Sequence, residues 1–459
     1  MAADMDSECT MPDGSMGRGE RRMIGVVADD YTGANDIGVM FAMNGYRCYV
    51  YSVYDDASII DKEADVVVLN TNSRLDPEAL AYEKVRAATS TLVKAGCGMF
   101  HKKTCSVFRG NIGAEFDAMM DELGADFCAV VLGFPRNGRI TRDGLHYVHG
   151  RLLEESEFKD DPIHPAKESD LTSILRKQTK RSVALIGSQV VSEGVPAIKA
   201  AIEGLRGAFQ YVVFDVVSQE ALNAIAGALK DERMLAGSSA IGEELPKWLP
   251  GRGKGIPRAL MARPKREAGT LIVAGSVTPQ TRLQVEHARA AGIPALALES
   301  EALLDPTRVG GLLDEIAGKA AYEIAEGRDF IVQSENEPEK VRKAKKAAAA
   351  AGLDEREAGR LIGSALARIT AEVVRRTGLS RLIVLGGETS GNICDALGII
   401  GNLVLKEIAP GVPSVLTIGR AEILMAPKSG SFGKEDFILL ANEHLRAIED
   451  DAAAGNEGD

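Results

Sequence analysis

The sequence predicts an α/β protein of two domains, each built on a mostly parallel sheet flanked by helices. Two observations carry that prediction. Short apolar runs alternate with amphipathic stretches from Met23 onward, which is the pattern of strands covered on both faces by helices. One stretch, 249–269, interrupts the pattern with Pro, Gly and six basic residues, and such a stretch marks a linker. A length of 459 residues also suits more than one domain.

Residues 1–22 carry early acids and no apolar run of signal length, so they read as a disordered leader rather than an export signal. MIGVVAD, DYTGAND and IGVMFAMNG then read as strand, loop and helix, the helix closed by Gly45. Further strands are expected near 48–53, 65–69, 127–132, 182–186 and 211–215, which fills a first domain over 23–248. After the linker the alternation restarts with TLIVAGSVTPQT, ALALES, DFIVQS and RLIVLGGETSG, giving a second domain over 270–447. The Ala- and charge-rich stretch 335–360 reads as one or two exposed, solvated helices. Residues 448–459 are expected to form an acidic tail.

Composition narrows the function classes. With 66 acidic against 54 basic residues the net charge is −12, so a nucleic-acid backbone or an anionic membrane is repelled on average. No run reaches the roughly 18 to 20 apolar residues of a spanning helix. The six cysteines, with no CxxC pair, signal neither a disulfide framework nor a zinc site. A cytoplasmic enzyme acting on a small molecule is the expectation, with 48 glycines for backbone-rich ligand loops.

Three clusters in the first half follow strands, where open α/β sheets place their ligands. Asp29 and Asp30 end the first strand, ahead of Thr32, Gly33 and Asn35. Paired carboxylates there could hold hydroxyls, orient a metal or serve as a general base, although one of them would equally serve as a helix N-cap. NTNSR at 70–74 and HKKTCSVFRGNIGAE at 101–115 bring Arg74, Lys102, Lys103 and Arg109 beside a short polar turn and a helix start, a natural receptor for a carboxylate or phosphate. GFPRNGRITRDGLHYVHG at 133–150 adds Arg136, Arg139, Arg142, His146 and His149, the histidines read as structural. In the second half AGSVTPQT, LGGETSGN and PKSGSFG are loops whose backbone amides can approach phosphates. None matches a P-loop or dinucleotide fingerprint. An anion and polyol site facing a phosphate cradle has the layout of a kinase of small hydroxylated acids.

The ordered set ADDYTGAND, NTNSR, KKTCSVFRGNIGAE, the GR segment ending in HG, DPIHP, AGSS, AGSVTPQT, GGETSG, PGVPS and KSGSFG resembles the four-carbon acid sugar kinase family from about Met23 to Phe437. The resemblance implies ATP-dependent phosphorylation of the terminal hydroxyl of a four-carbon sugar acid such as threonate, erythronate or 3-oxo-tetronate. Mg²⁺ is expected to bridge the ATP phosphates. It places Asp29 and Asp30 at the catalytic end, and Arg74, Lys103, Ser106 and Arg109 on the acid. Ser276, Gly387, Glu388, Thr389, Ser390 and Gly430 are expected around ATP. Where the family pattern reads KKxDSTxRG, this chain has Cys105 and Val107, a change expected to alter substrate choice. GANDIGV favours the threonate or erythronate branch. Two other readings stay open: a kinase of a different small acid, and a noncatalytic sensor that binds ATP and a sugar acid. Exposed helices of the second half could support a homodimer.

Overall fold

The protein is described from a computed structural model, over residues 23–160, 164–249, 268–430 and 432–454. The expected leader, the linker residues 250–267 and the residues 161–163 of DPIHP lie outside the described residues.

Eighteen strands are present among the described residues. In the first half they are β1 (Ile24–Ala28), β2 (Cys48–Tyr51), β3 (Val66–Asn70), β4 (Met99–Lys103), β5 (Cys128–Val131), β6 (Arg139–Arg142), β7 (Leu145–Val148), β8 (Arg151–Leu152), β9 (Val183–Ile186), β10 (Tyr211–Phe214) and β11 (Met234–Gly237). The second half holds β12 (Leu271–Ala274), β13 (Ala295–Leu298), β14 (Phe330–Ser334), β15 (Arg381–Leu385), β16 (Ile399–Ala409), β17 (Val412–Gly419) and β18 (Leu424–Lys428). All but β6–β8 join one sheet in the order β13-β14-β12-β15-β18-β17-β16-β2-β3-β1-β4-β11-β5-β10-β9.

The two halves are therefore continuous. β16 pairs antiparallel with β2, Asn402 opposite Val50, and β17 pairs antiparallel with both β16 and β18; the other pairings in this sheet are parallel. Apolar side chains on both faces pack under helices as two extended cores, which is why the central strands read as unbroken apolar runs.

Three readings of the sequence change here. Residues 448–454, expected in the acidic tail, instead end the helix Phe437–Ala454, with Ile448 and Glu449 buried. The HKK run is not a basic turn: His101, Lys102 and Lys103 are the buried end of β4, between β1 and β11. The 335–360 stretch does form helices, Pro338–Ala350 and the start of Glu355–Thr377, but they are not simply solvated, because their apolar sides enclose a cavity described below. The Arg- and His-bearing segment 133–150 folds largely as the small antiparallel sheet β6-β7-β8, and His146 is buried in it, 3.2 Å from Thr141 Oγ1.

Candidate active site

In each half the strand order changes direction beside the half's first strand, β1 or β12, and such a reversal opens a crevice at the carboxyl ends of the strands. In the first half β1 lies between β3 and β4. The segments leaving β3, β1, β4 and β11 converge there: 71–74, Asp29 and Asp30, 104–110, and Ser238 with Ser239. Ala28 registers with Asn70 on one side and Lys103 on the other, so these segments begin at one level.

Asp29 is buried, and Arg74 holds it with a two-armed contact, Nε to Oδ2 and Nη2 to Oδ1, each 2.9 Å. Arg74 Nη1 also donates to Asp30 Oδ2. The other oxygen of Asp30 accepts from the Gly33 backbone N–H at 2.5 Å, capping helix Tyr31–Ala42. Burial alone would raise the Asp29 pKa, but Arg74, Lys102 and Lys103 outweigh it and hold the carboxyl at about 2. The Arg74 side chain fits because Gly110 has no Cβ; one built there would meet Arg74 Cγ at 3.0 Å on a backbone with φ of +103°.

Beneath this pair lies a second ionic layer. Lys102 and Glu115 form a fully buried ion pair at 2.7 Å, and Glu115 accepts from Ser73 Oγ at 2.5 Å. Ser73 in turn meets Thr71 Oγ1, which donates to the Ala28 carbonyl. Lys103 Nζ donates to the Thr104 carbonyl at 2.9 Å and lies 3.0 Å from the position a Gly33 Cβ would take. It reaches the start of helix Tyr31–Ala42 and lowers the proton affinity of Asp29 and Asp36. Asp36, whose pKa burial raises despite Lys103, accepts from Ser239 Oγ of the AGSS motif.

Farther out, Cys105 is buried and receives Arg109 Nε at 3.3 Å. The Arg109 guanidinium also lies 5.2 Å from the centre of the Phe158 ring. Ser106 is half-buried in the same loop.

The second half repeats the arrangement around β12, between β14 and β15. Gly275 and Ser276 leave β12, their N–H groups both bonded to the Leu385 carbonyl. Gly386, at φ +140°, leads into helix Gly387–Leu397. Thr389 Oγ1 packs against both glycines: a Cβ on Gly275 would lie 2.1 Å from it and one on Gly386 2.8 Å. Ser390 Oγ turns back to the Gly386 carbonyl. Thr389 and Ser390 thus shape the turn with their side chains, and what they present outward is the amide-bearing start of an 11-residue helix. Gly430 closes against Ser276, where a Cβ would come within 2.5 Å of its Oγ. Beside these loops opens a cavity of about 560 Å³. Gly275, Val277, Ser334 and Glu388 border it, and Val341, Ala348, Leu361 and Ile362 give it an apolar wall. It is a largely apolar slot with a few polar groups at its rim, the form of a small-molecule pocket.

The two crevices meet. Thr32, Tyr31 and Asn35 share a narrow gap with Gly387, Ser390, Lys428 and Ser429, and Thr32 Oγ1 lies 3.6 Å from the Cβ position of Gly387. Asn402 ties the faces together, accepting from Tyr31 Oη at 3.2 Å and donating to Asn35 Oδ1 at 3.0 Å. Every residue expected around the acid lies on one side of this gap. Those expected around ATP lie on the other. Asp36, Ser239 and Lys428 stood inside the quoted motifs ADDYTGAND, AGSS and KSGSFG, but the Asp36–Ser239 contact and the burial of Lys428 could not be read from them, and Asn402 stood in none.

Two family models match the chain: a sugar-binding N-terminal domain over residues 24–245 and a nucleotide-binding C-terminal domain over 271–438. A 3-oxo-tetronate kinase of Brucella melitensis is 31% identical over 92% of this chain and 95% of its own length. One of Methylobacterium radiotolerans is 35% identical over 90% and 97%. The fold is similar to that of a crystal structure from Salmonella typhimurium LT2, described as a tRNA synthase, at 28% identity and a TM-score of 0.82, covering 92% of this chain and 99% of that one. With both models covering most of its length and such relatives matching nearly end to end, the chain belongs to the four-carbon acid sugar kinase family, a family of ATP-dependent sugar-acid kinases.

Proposed function

We propose that the chain phosphorylates the terminal, 4-hydroxyl of a four-carbon sugar acid, using ATP with Mg²⁺. The observation that carries this reading is the narrow gap in which Tyr31, Thr32 and Asn35, on the helix that directly follows Asp29 and Asp30, face the glycine-lined start of helix Gly387–Leu397. The names of the relatives favour 3-oxo-tetronate as the acid. GANDIGV keeps threonate and erythronate as the second reading.

The second half fits the nucleotide. Its cradle has no room for a Cβ at Gly275 or Gly386, its helix start offers unpaired amides to phosphates, and its cavity is of ligand size. Among the described residues no group of three or more acidic, His or Cys side chains gathers to hold a metal. Mg²⁺ in such sites is carried mainly by the nucleotide phosphates and water, which requires no dedicated protein cage. Bound ATP would supply the phosphoryl group and its metal would offset the phosphate charge; the chain supplies position and charge.

On the acid side the two carboxylates divide the work. Asp29, locked by Arg74 and held at about 2, is a poor proton acceptor and serves to fix the guanidinium. Asp30 has a quarter of its side chain exposed, immediately ahead of the gap-lining Tyr31 and Thr32, and is the group assigned to take the hydroxyl proton. Lys103, Ser106 and Arg109 receive the acid, with Cys105 beside Arg109 shaping the choice of substrate. Incubation with Mg²⁺-ATP and 3-oxo-tetronate, followed by carbon and phosphorus NMR, tests the assignment: coupling of phosphorus to C-4 is expected, and phosphate on another carbon would overturn it.

A further inference from the structure

Lys428 ends β18 and is almost fully buried. Its Nζ donates to the Gly430 carbonyl at 3.0 Å and the Phe432 carbonyl at 3.1 Å, and meets Thr281 Oγ1 at 3.4 Å. All three acceptors are neutral. The only further partner of the ammonium among the described residues is the Phe437 ring, 5.8 Å away. Buried charges are normally paired, so an ammonium that meets only neutral oxygens and a ring is an anomaly to be explained.

The same loop is held by other donors. Thr278 and Thr281 hydroxyls bond the Gly430 carbonyl, Gln284 Nε2 bonds the Phe432 and Lys434 carbonyls, and Gln280 Nε2 bonds that of Gly433. Within a planar trans peptide the N–H points opposite to the C=O. With the Phe432 and Gly433 carbonyls drawn toward helix Pro279–Ala290, the N–H groups that follow them point away from it. A row of amides so displayed is a concavity that attracts anions.

We propose that Lys428 is the positioning residue of the phosphate loop formed by Ser429, Gly430 and residues 432–434, and that its missing counter-charge is the polyphosphate of the bound nucleotide. The ammonium turns the loop carbonyls inward, and the phosphates that dock on the outward amides neutralise it. Burial already lowers its pKa to about 8, so near that pH the free protein loses the proton that nucleotide binding requires. The groups that face Lys428 are Thr281 and Gln284 from one helix, Phe437 from another, Ser390 from a third, and Tyr31, Thr32 and Asn35 across the gap. Of these only Tyr31 titrates, and burial keeps its phenol neutral, far above its usual range.

The inference rests on the reading of the second half as the nucleotide side, and calorimetry with Mg²⁺-ATP between pH 7 and pH 9 separates the two. Nucleotide binding raises the Lys428 pKa, so affinity is full below about 8 and declines above it, by about tenfold between pH 7 and 9, with uptake of a proton on binding at pH 9. Lys428→Met is expected to bind ATP about tenfold more weakly at pH 7, with little further loss at pH 9. Lys428→Arg, which cannot deprotonate, restores affinity without the decline. Proton uptake by the unmutated protein needs no variant, so a misfolded mutant does not blunt the test. ATP binding with no proton uptake, or an equal decline in Lys428→Met, would overturn the role of Lys428. Absence of any ATP binding would instead overturn the nucleotide site itself.

Discussion

Arg74 grips Asp29 through two parallel hydrogen bonds of 2.9 Å while its third nitrogen reaches Asp30. One guanidinium therefore sets the geometry of both adjacent carboxylates. A lysine could not reproduce it, because a point charge lacks the planar fork. The two aspartates, alike in sequence, receive different tasks.

Asp30→Asn is expected to lower kcat by about 10² to 10⁴, the usual worth of a positioned base, with the ATP Kd unchanged. Steady-state kinetics beside calorimetry would check this; turnover within threefold of the unmutated enzyme would remove Asp30 from the chemistry.

Asp29 contributes to stability in a pH-dependent way. Its folded pKa of about 2 lies below the ordinary value of 3.8, so the ionised form is favoured in the folded state. That contribution, about 2 kcal/mol, is present above roughly pH 4 and lost as pH falls toward 2. Urea denaturation at pH 5 and pH 3 should show the loss, and Asp29→Asn should abolish the difference attributable to this group. A pH-independent midpoint in the unmutated protein would contradict it.

Glu115→Ala leaves Lys102 charged and buried. A cost of about 3–5 kcal/mol is expected, read as a lowered urea midpoint, and the double change with Lys102→Met should recover part of it. Additive losses in the double variant would show that the two side chains are uncoupled.

Much of the architecture was legible because parallel strands buried on both faces leave long apolar runs, and β1, β3, β5, β9, β10, β12, β14 and β15 all carry that mark. β4 did not read as a strand to its end. Two of its last three residues are lysines, and their burial depends on partners distant in the chain, such as Glu115 at 2.7 Å from Lys102. The fusion of both halves into one sheet was equally hidden, since the β2–β16 pairing joins residues some 350 positions apart. The cavity wall of Val341, Ala348, Leu361 and Ile362 was masked by the charge of its helices' outer faces. Asp29, Asp30 and Arg74 were readable because short motifs at strand ends declare themselves; Lys428 was not, because nothing local reports that its ammonium lies buried among carbonyls.

Gly275→Ala would drive a methyl group into Thr389 Oγ1, 2.1 Å away. Overpacking of this kind costs roughly 1–3 kcal/mol, so ATP affinity should fall by about tenfold while binding of the sugar acid persists. Separate calorimetric titrations distinguish the outcomes; unaltered ATP affinity would place the nucleotide elsewhere.

The most direct measurement is ADP release with Mg²⁺-ATP across a panel of acids: 3-oxo-tetronate, threonate and erythronate in both hands, and five- and six-carbon acids. Turnover confined to four-carbon acids, with the highest kcat/KM on one of them and a changed ranking in Cys105→Asp, is the predicted result. ATP binding without turnover on any acid, or preferred turnover of a longer acid, would contradict it.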